Sequence, residues 1–323
     1  MNYVELKTSE LTVVIGNNEV GDGRWASHWR PGLNGIWHLS SVHSPDNCWV
    51  PRGAGLNIEH YMDDLFDLAT GEGGDRFEPR NAPMSLTKVS DSSVLLSQGP
   101  TPLTGVESET LFEVIEPHAS DMRFRAKLHR PPRSGKRFGF FWASYINTPN
   151  NPALYFRDGK GILNCLSPDQ HGRGGGNTVC HESIETPSLG QQGRQYNPGS
   201  LAYSFSARRF GPPLMFGYPG QGRMLLLMMF DQSHPVRLTM SHRGGGLNEA
   251  KRAYNPAWDF QYILDEADQG TECHLRTRVI YKPFSDIEEI DHLYAEWAKE
   301  TGQTQQPPKR YDCEGVCLLL HRP

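Results

Sequence analysis

No window of this sequence reaches the roughly 18 consecutive apolar residues that a membrane-spanning helix needs. The opening Met1-Asn2-Tyr3-Val4-Glu5-Leu6-Lys7 also lacks the basic region and apolar stretch of an export signal. No membrane partner is expected, and the chain reads as a soluble cytoplasmic protein. Cysteine is sparse: Cys48, Cys165, Cys180, Cys273, Cys313 and Cys317 are spread thinly through 323 residues. A chain this long folds without staples, so reduced thiols are expected rather than a disulfide framework. An excess of positive charge is absent as well. With 32 Lys plus Arg against 37 Asp plus Glu, the net charge is −5, which argues against a protein that coats nucleic acid. Also missing are the Lys-Ser/Thr ending of a phosphate loop, paired Cys-x-x-Cys or His-Glu-x-x-His spacings, and the Gly-x-Ser-x-Gly elbow of common serine hydrolases. Cys180-His181-Glu182, Cys313 with Cys317, and Glu59-His60 do not combine into a ligand set. Neither a metal nor a cofactor is expected.

What the chain has in quantity is short β pattern punctuated by turn residues. Asp121 to His129 alternates strictly, with Met122, Phe124, Ala126 and Leu128 on one face and Arg123, Arg125, Lys127 and His129 on the other. Thr271 to Tyr281 repeats the device, setting Cys273, Leu275, Thr277 and Val279 against His274, Arg276 and Arg278. Further strands are expected at Leu11 to Ile15, Gly35 to Leu39, Met84 to Val89, Ser93 to Leu96, Thr110 to Glu116, Phe138 to Tyr145, Leu201 to Ser206 and Val236 to Ser241. The unbroken run Met224-Leu225-Leu226-Leu227-Met228-Met229-Phe230 suits a central strand covered on both faces. One helix stands out. Ser285-Asp286-Ile287-Glu288 reads as a capping box, followed by Ile290, Tyr294 and Trp297 at helical spacing, with Gly302 just beyond. It is expected to pack on a sheet edge. Val42 to Gly55, Gly71 to Ala82, Ser167 to Gly199 and Gly244 to Pro256 show no periodicity and read as loops. No linker cuts the chain, so residues 1–323 are read as one domain with a helix near 285–301 and an extension over 302–323.

Chemistry concentrates between Trp25 and Asp64, where Trp25, His28, Trp29, Arg30, Trp37, His38, His43, Trp49, Arg52, Asn57, Glu59, His60 and Asp63 all fall. Aromatic rings interleaved with polar side chains suit a sugar, which offers both apolar C–H faces and hydroxyls. An aromatic core layer with satisfied histidines is the competing reading. In an extended strand Asn57, Glu59 and Tyr61 share one face and Ile58 and His60 the other, which weakens a direct Glu59–His60 pairing. A nearby carboxylate would otherwise tune the imidazole for acid–base work. The basic stripes are either a solvated sheet face or the lining of a cleft that grips the carboxylates of an acidic sugar.

With the Leu11 to Ile15 strand, the Gly32-Leu33-Asn34-Gly35 to Leu39 stretch and the Asn255 to Tyr262 stretch before a final long strand, the chain resembles the galactose mutarotase-like superfamily over roughly residues 5 to 284. The resemblance implies an all-β fold, a large antiparallel β-sandwich of supersandwich type, here with one C-terminal helix, whose concave sheet binds carbohydrate. It also implies aldose epimerases, with a histidine as general acid and a late glutamate as general base. The Asn-His and Tyr-Phe-Asn-Leu motif of those enzymes is absent, so no role is carried over by motif. Glu59-His60 is a chemical analogue and Asp259 a late acidic candidate.

The sequence therefore points to a sugar-active enzyme in which His60 or His43 exchanges protons with Glu59, and Asp259 joins the catalytic candidates. The candidate sugar contacts are Arg30, Trp37, His38, Trp49, Arg52, Asn57, Arg125, His242, Trp258 and Arg276. Two other readings stay open: a lyase that removes an α-proton from uronic-acid glycans beside an arginine-neutralised carboxylate, and a non-catalytic carbohydrate-binding protein.

Overall fold

The computed structural model describes residues 2–26, 31–51, 55–63, 77–133, 135–167, 176–184, 205–220, 223–248, 250 and 253–303. In chain order its strands are β1 (Tyr3–Lys7), β2 (Leu11–Gly16), β3 (Gly35–Ser41), β4 (Leu56–Met62), β5 (Ser85–Lys88), β6 (Ser93–Gln98), β7 (Val106–Ile115), β8 (Ala119–Leu128) and β9 (Phe138–Ser144). Then come β10 (Asn151–Arg157), β11 (Leu163–Leu166), β12 (Thr178–His181), β13 (Phe205–Phe210), β14 (Leu214–Tyr218), β15 (Met224–Phe230), β16 (Val236–Ser241), β17 (Ala257–Leu264) and β18 (Glu272–Pro283). A single helical turn, α1 (Glu78–Asn81), and one long helix, α2 (Ile287–Glu300), complete the described elements.

The strands form a nine-stranded sheet in the order β11-β10-β14-β15-β18-β8-β7-β6-β5, a six-stranded sheet in the order β13-β12-β16-β17-β9-β4, and a small sheet β1-β2-β3. Every pairing is antiparallel except β12 with β13. The two large sheets stack through side chains of alternate residues. Phe140 and Trp142 of β9 meet Phe124 of β8 edge-on, and Phe260 of β17 meets Phe230 of β15. This is the all-β sandwich expected, and most of the expected strands lie within one to four residues of those observed. Two differ. The strand expected at Leu201 to Ser206 is β13 at Phe205–Phe210, with residues 201–204 outside the described set. The stretch read as a loop over Ser167 to Gly199 contains β12, too short at four residues to show a period.

β15 explains why an unbroken apolar run was needed. Met224, Leu226, Met228 and Phe230 enter the core between the large sheets, whereas Leu225, Leu227 and Met229 face outward into a second cluster. Ile290, Tyr294, Trp297 and Ala298 of α2 cover that outer cluster. The helix therefore lies on the face of the nine-stranded sheet rather than on its edge, because an uncovered row of Leu and Met would otherwise meet water. Its cap sits one residue later than the sequence suggested. The Asp286 side chain accepts from the Glu289 N–H, and Ser285 Oγ donates to the Glu289 carboxylate.

β8 and β18 are neighbours, with Arg123 opposite Arg276 and Arg125 opposite His274, so the two basic stripes do share one face. It is the outer face, and its charges are matched. Arg123 binds Glu113, Arg125 binds Glu109 and Lys127 binds Glu272. Asp121, fully buried, sits between Arg276 and Arg278, and both arginines also reach Glu300 of α2 while lying over the Trp297 ring. The stripe is a solvated and helix-docking face, not a cleft lining.

Candidate functional site

The chemistry gathers on the face of the six-stranded sheet turned away from the core. Alternation decides which residues point there. In β17, Trp258, Phe260 and Tyr262 enter the core, leaving Asp259 and Gln261 on the far face. In β16, Val236, Leu238 and Met240 point inward and Thr239 opposes Asp259 across the ladder. In β9, Phe138, Phe140 and Trp142 point inward and Phe141 outward.

β4 breaks this rule at the decisive place. Ile58 pairs with Trp142 and His60 with Phe141, so Glu59 is an extra residue and the strand carries a β-bulge. A bulge sets two residues against one and releases neighbours from opposite faces. Glu59 and His60, which a regular strand would separate, lie with His60 Nε2 3.7 Å from Glu59 Oε1. The imidazole is flanked by the rings of Phe77 and Phe141 at 4.8 and 5.3 Å.

Around this pair the polar groups are bound tightly. Arg80 Nη1 donates to Glu59 Oε1 at 2.9 Å, while its Nε and Nη2 donate to Asn57 Oδ1 at 2.9 and 2.6 Å. Arg80 Nη2 also donates to the Tyr145 hydroxyl at 2.9 Å, and that hydroxyl donates to Glu59 Oε1 at 3.1 Å. Burial first, and the Glu59 carboxylate second, hold the Tyr145 phenol above its ordinary pKa. The arginine is placed by α1, whose backbone is well anchored. Asn34 and Gln98 donate to Pro79 O, Asn18 and Gln98 to Ala82 O, and the Glu78 carboxylate takes the Leu103 and Thr104 N–H groups.

Two strands away, Asp259 Oδ1 accepts the Ser144 N–H at 2.9 Å, standing in for a main-chain acceptor. Burial drives its pKa well above the usual carboxylate range, with Glu59 adding to the shift and the Ser144 N–H and Arg80 opposing it. Next to it Gln261 Nε2 donates to Thr239 Oγ1 at 3.0 Å, and the Thr239 and Thr178 hydroxyls meet at 3.2 Å. Gln261 Oε1, fully buried, accepts no hydrogen bond among the described residues. The face thus offers a fixed carboxylate and imidazole side by side, a second carboxyl biased toward its protonated form, and an unmet acceptor.

Of the expected site residues, His60, Glu59, Asn57 and Asp259 share this face. The others do not assemble there. His43 lies in an exposed turn after β3, its Nε2 3.9 Å from Glu10. Trp49 and Trp258 belong to the core between the sheets, and the Trp258 N–H is spent on Pro152 O. Trp37 is fully buried with Val14 and Ala26, its N–H donated to Leu33 O, and its ring covers Gly16, where a Cβ would come within 2.0 Å. None of the three presents a ring face to a ligand. His38 packs on Trp25 at 4.5 Å and meets Ser40 Oγ at 2.9 Å in the small sheet. Arg125 and Arg276 belong to the outer face already described, and His242 opens the turn after β16. Arg30 and Arg52 lie outside the described residues. Sequence reasoning missed Arg80, Tyr145, Gln261 and Thr239. The alternation of β17 could have given Gln261; Arg80 carries no local signal.

No family model matches the chain, and no curated protein matches its sequence. Solved structures do share its fold. An Escherichia coli K12 protein assigned as an aldose 1-epimerase superposes with a TM-score of 0.50 at 9% identity, covering 87% of this chain and 99% of that one. The Slr1438 protein of Synechocystis sp. PCC 6803 gives a TM-score of 0.51 at 9% identity, covering 87% and 96%. A galactose mutarotase-like protein of Lactobacillus casei ATCC 334 gives 0.49 at 10% identity, covering 87% and 100%. The chain shares the sandwich fold of the first two of these structures.

Proposed function

We propose that this protein acts on a carbohydrate by acid–base chemistry at the far face of the six-stranded sheet, in the manner of an aldose epimerase. Glu59 and His60 form the proton-transfer pair, Arg80 and Tyr145 fix the carboxylate, and Asp259 supplies a second carboxyl. The observation that carries the reading is the β-bulge, which brings a carboxylate and an imidazole within 3.7 Å on a face already rich in hydrogen-bonding groups. In an anomeric exchange one group withdraws the proton of the anomeric hydroxyl as another donates a proton to the ring oxygen. The open chain turns about its C1–C2 bond and closes with the roles reversed. Gln261, whose Oε1 accepts no hydrogen bond among the described residues, is suited to take a sugar hydroxyl.

The lyase reading loses its main support, because Arg125 and Arg276 are matched by carboxylates on the opposite side of the molecule. The test is anomer-exchange NMR on a panel of aldoses and short oligosaccharides. We expect exchange faster than the spontaneous rate, and a loss of about 10²- to 10⁴-fold in Glu59→Gln and in His60→Gln with substrate binding retained. Binding without exchange in the wild-type protein would make it a binding module. Exchange at the wild-type rate in both variants would remove this pair from the mechanism.

A further inference from the structure

At the other end of the six-stranded sheet, beyond the last residues of β12, lies a second cluster of reactive side chains. Ser183 is exposed, two residues past the end of the strand. Its backbone N–H points at His181 Nδ1, 3.2 Å away, and its hydroxyl lies 2.7 Å from the same nitrogen. A nitrogen that accepts a backbone N–H carries its lone pair there, so His181 is the Nε2–H tautomer and the Ser183 O–H donates to it. On the other side, His234 Nδ1 stands 3.2 Å from Ser183 Oγ, and His234 Nε2 stands 3.9 Å from Asp265 Oδ2. Arg137 Nε holds Asp265 Oδ1 at 3.3 Å. The hydroxyl therefore sits between an imidazole that takes its proton and one that, when protonated, is paired with a carboxylate.

Position argues that this is not part of the sheet-face site. His60 pairs with Phe141, Phe141 with Gln261, Gln261 with Arg237 and Arg237 with Cys180, so the Glu59–His60 pair sits level with the end of β12 but on β4, four strands away. At about 4.8 Å per strand that lateral separation is roughly 19 Å. Burial, more than the opposing effect of Glu182, keeps the His181 pKa below its usual value, and His234 lowers it further. A neutral imidazole at that position is the form able to act as a base.

We infer that Ser183 is a nucleophile toward small acyl esters, with His181 as its general base and His234, oriented by Asp265, as the general acid. Ser183 Oγ forms a bond to the ester carbonyl carbon while its proton passes to His181 Nδ1 and the carbonyl π pair moves onto oxygen. As that pair returns, the bond to the leaving oxygen breaks, and the leaving oxygen takes a proton from His234 Nδ1. Water then attacks the acyl-serine; His234 accepts the water proton, and His181 returns its proton to Ser183 Oγ, releasing the carboxylic acid. No oxidant or further co-reactant is needed.

The experiment uses the full chain with p-nitrophenyl acetate, following p-nitrophenolate release and locating acetylation by peptide mass spectrometry. We expect hydrolysis above buffer, an acetyl group trapped on Ser183 at early times, and a loss of about 100-fold or more in Ser183→Ala and in His181→Gln. Ser183 is exposed, so Ser183→Ala should keep the wild-type urea midpoint, which separates loss of chemistry from loss of fold. Wild-type turnover in Ser183→Ala, acetylation confined to histidine or lysine, or no hydrolysis above buffer would each overturn the inference.

Discussion

Replacing Arg80 by Met tests whether the sheet-face network holds itself together as described. The Arg80 and Glu59 side chains are each 12% exposed, so removing the guanidinium leaves a carboxylate in a poorly hydrated place. Three further donated bonds, two to Asn57 and one to Tyr145, go with it. Breaking a buried pair from one side costs about 3–5 kcal/mol, and methionine keeps enough volume that a cavity adds little. With an m-value of about 3 kcal/mol per molar urea, the midpoint should fall by roughly 1–1.7 M. The assay is urea unfolding read by tryptophan fluorescence and far-ultraviolet circular dichroism, with coincident midpoints as the check on two-state behaviour. Glu59→Gln supplies the second arm. Once the charge is gone, losing Arg80 strands a neutral amide instead, so Arg80→Met with Glu59→Gln should cost less than the sum by about 2 kcal/mol. A loss below about 1 kcal/mol in Arg80→Met, or additivity within about 0.5 kcal/mol, would refute the idea that this pair is mutually dependent.

Asp259→Asn keeps an Oδ1 to accept the Ser144 N–H, and its effect follows from linkage. The folded pKa lies above the unfolded 3.8, so the native state binds more protons and wild-type stability falls as pH rises from 3.8 through the folded value. The variant should therefore be more stable at pH 7 and lose that advantage near pH 3.8; a difference that does not change with pH in unfolding midpoints would count against it. Burial, and to a smaller extent Arg24, depresses the His38 pKa from 6.5 to about 4, against the pull of Glu5. Its contribution is intact above pH 6.5 and drains away as pH falls toward 4, so its imidazole NMR signal should titrate near 4, and a midpoint near 6.5 would be the wrong answer. Trp297 is 1% exposed, with the Arg276 and Arg278 guanidiniums each over its ring at 4.7 Å. Trp297→Ala should cost about 3–5 kcal/mol by thermal or urea unfolding, and a cost below about 1 kcal/mol would mean α2 is not held by this ring.

The sandwich was legible because one face of most strands is apolar and the other is not. Met122, Phe124, Ala126 and Leu128 announce β8 in any context. The double cover on β15 was legible for the converse reason, an apolar run with no polar face. The site was only partly readable. Asn57, Glu59, His60 and Asp259 were found by residue type, but period-two reasoning set Glu59 and His60 on opposite faces, and nothing local marks the extra residue that defeats it. Tryptophans suggested stacking platforms; the solvent-excluded core took Trp37, Trp49 and Trp258 instead, as large apolar rings usually are. Arg80 lies in a stretch without period, and only long-range contacts through Asn34 and Gln98 bring it to Glu59.

Because α2 follows every described strand, the ribosome finishes the whole nine-stranded sheet before the lid of its outer face exists. During that interval Leu225, Leu227 and Met229 stand in a row open to solvent, with the paired arginines beside them waiting for Glu300. A nonsense codon between residues 284 and 290 would freeze the protein at that stage, before any of Ile290, Tyr294 and Trp297 is made. Such products should be sticky and short-lived even though both sheets and the Glu59 network are complete, which makes this helix a proofreading point for synthesis.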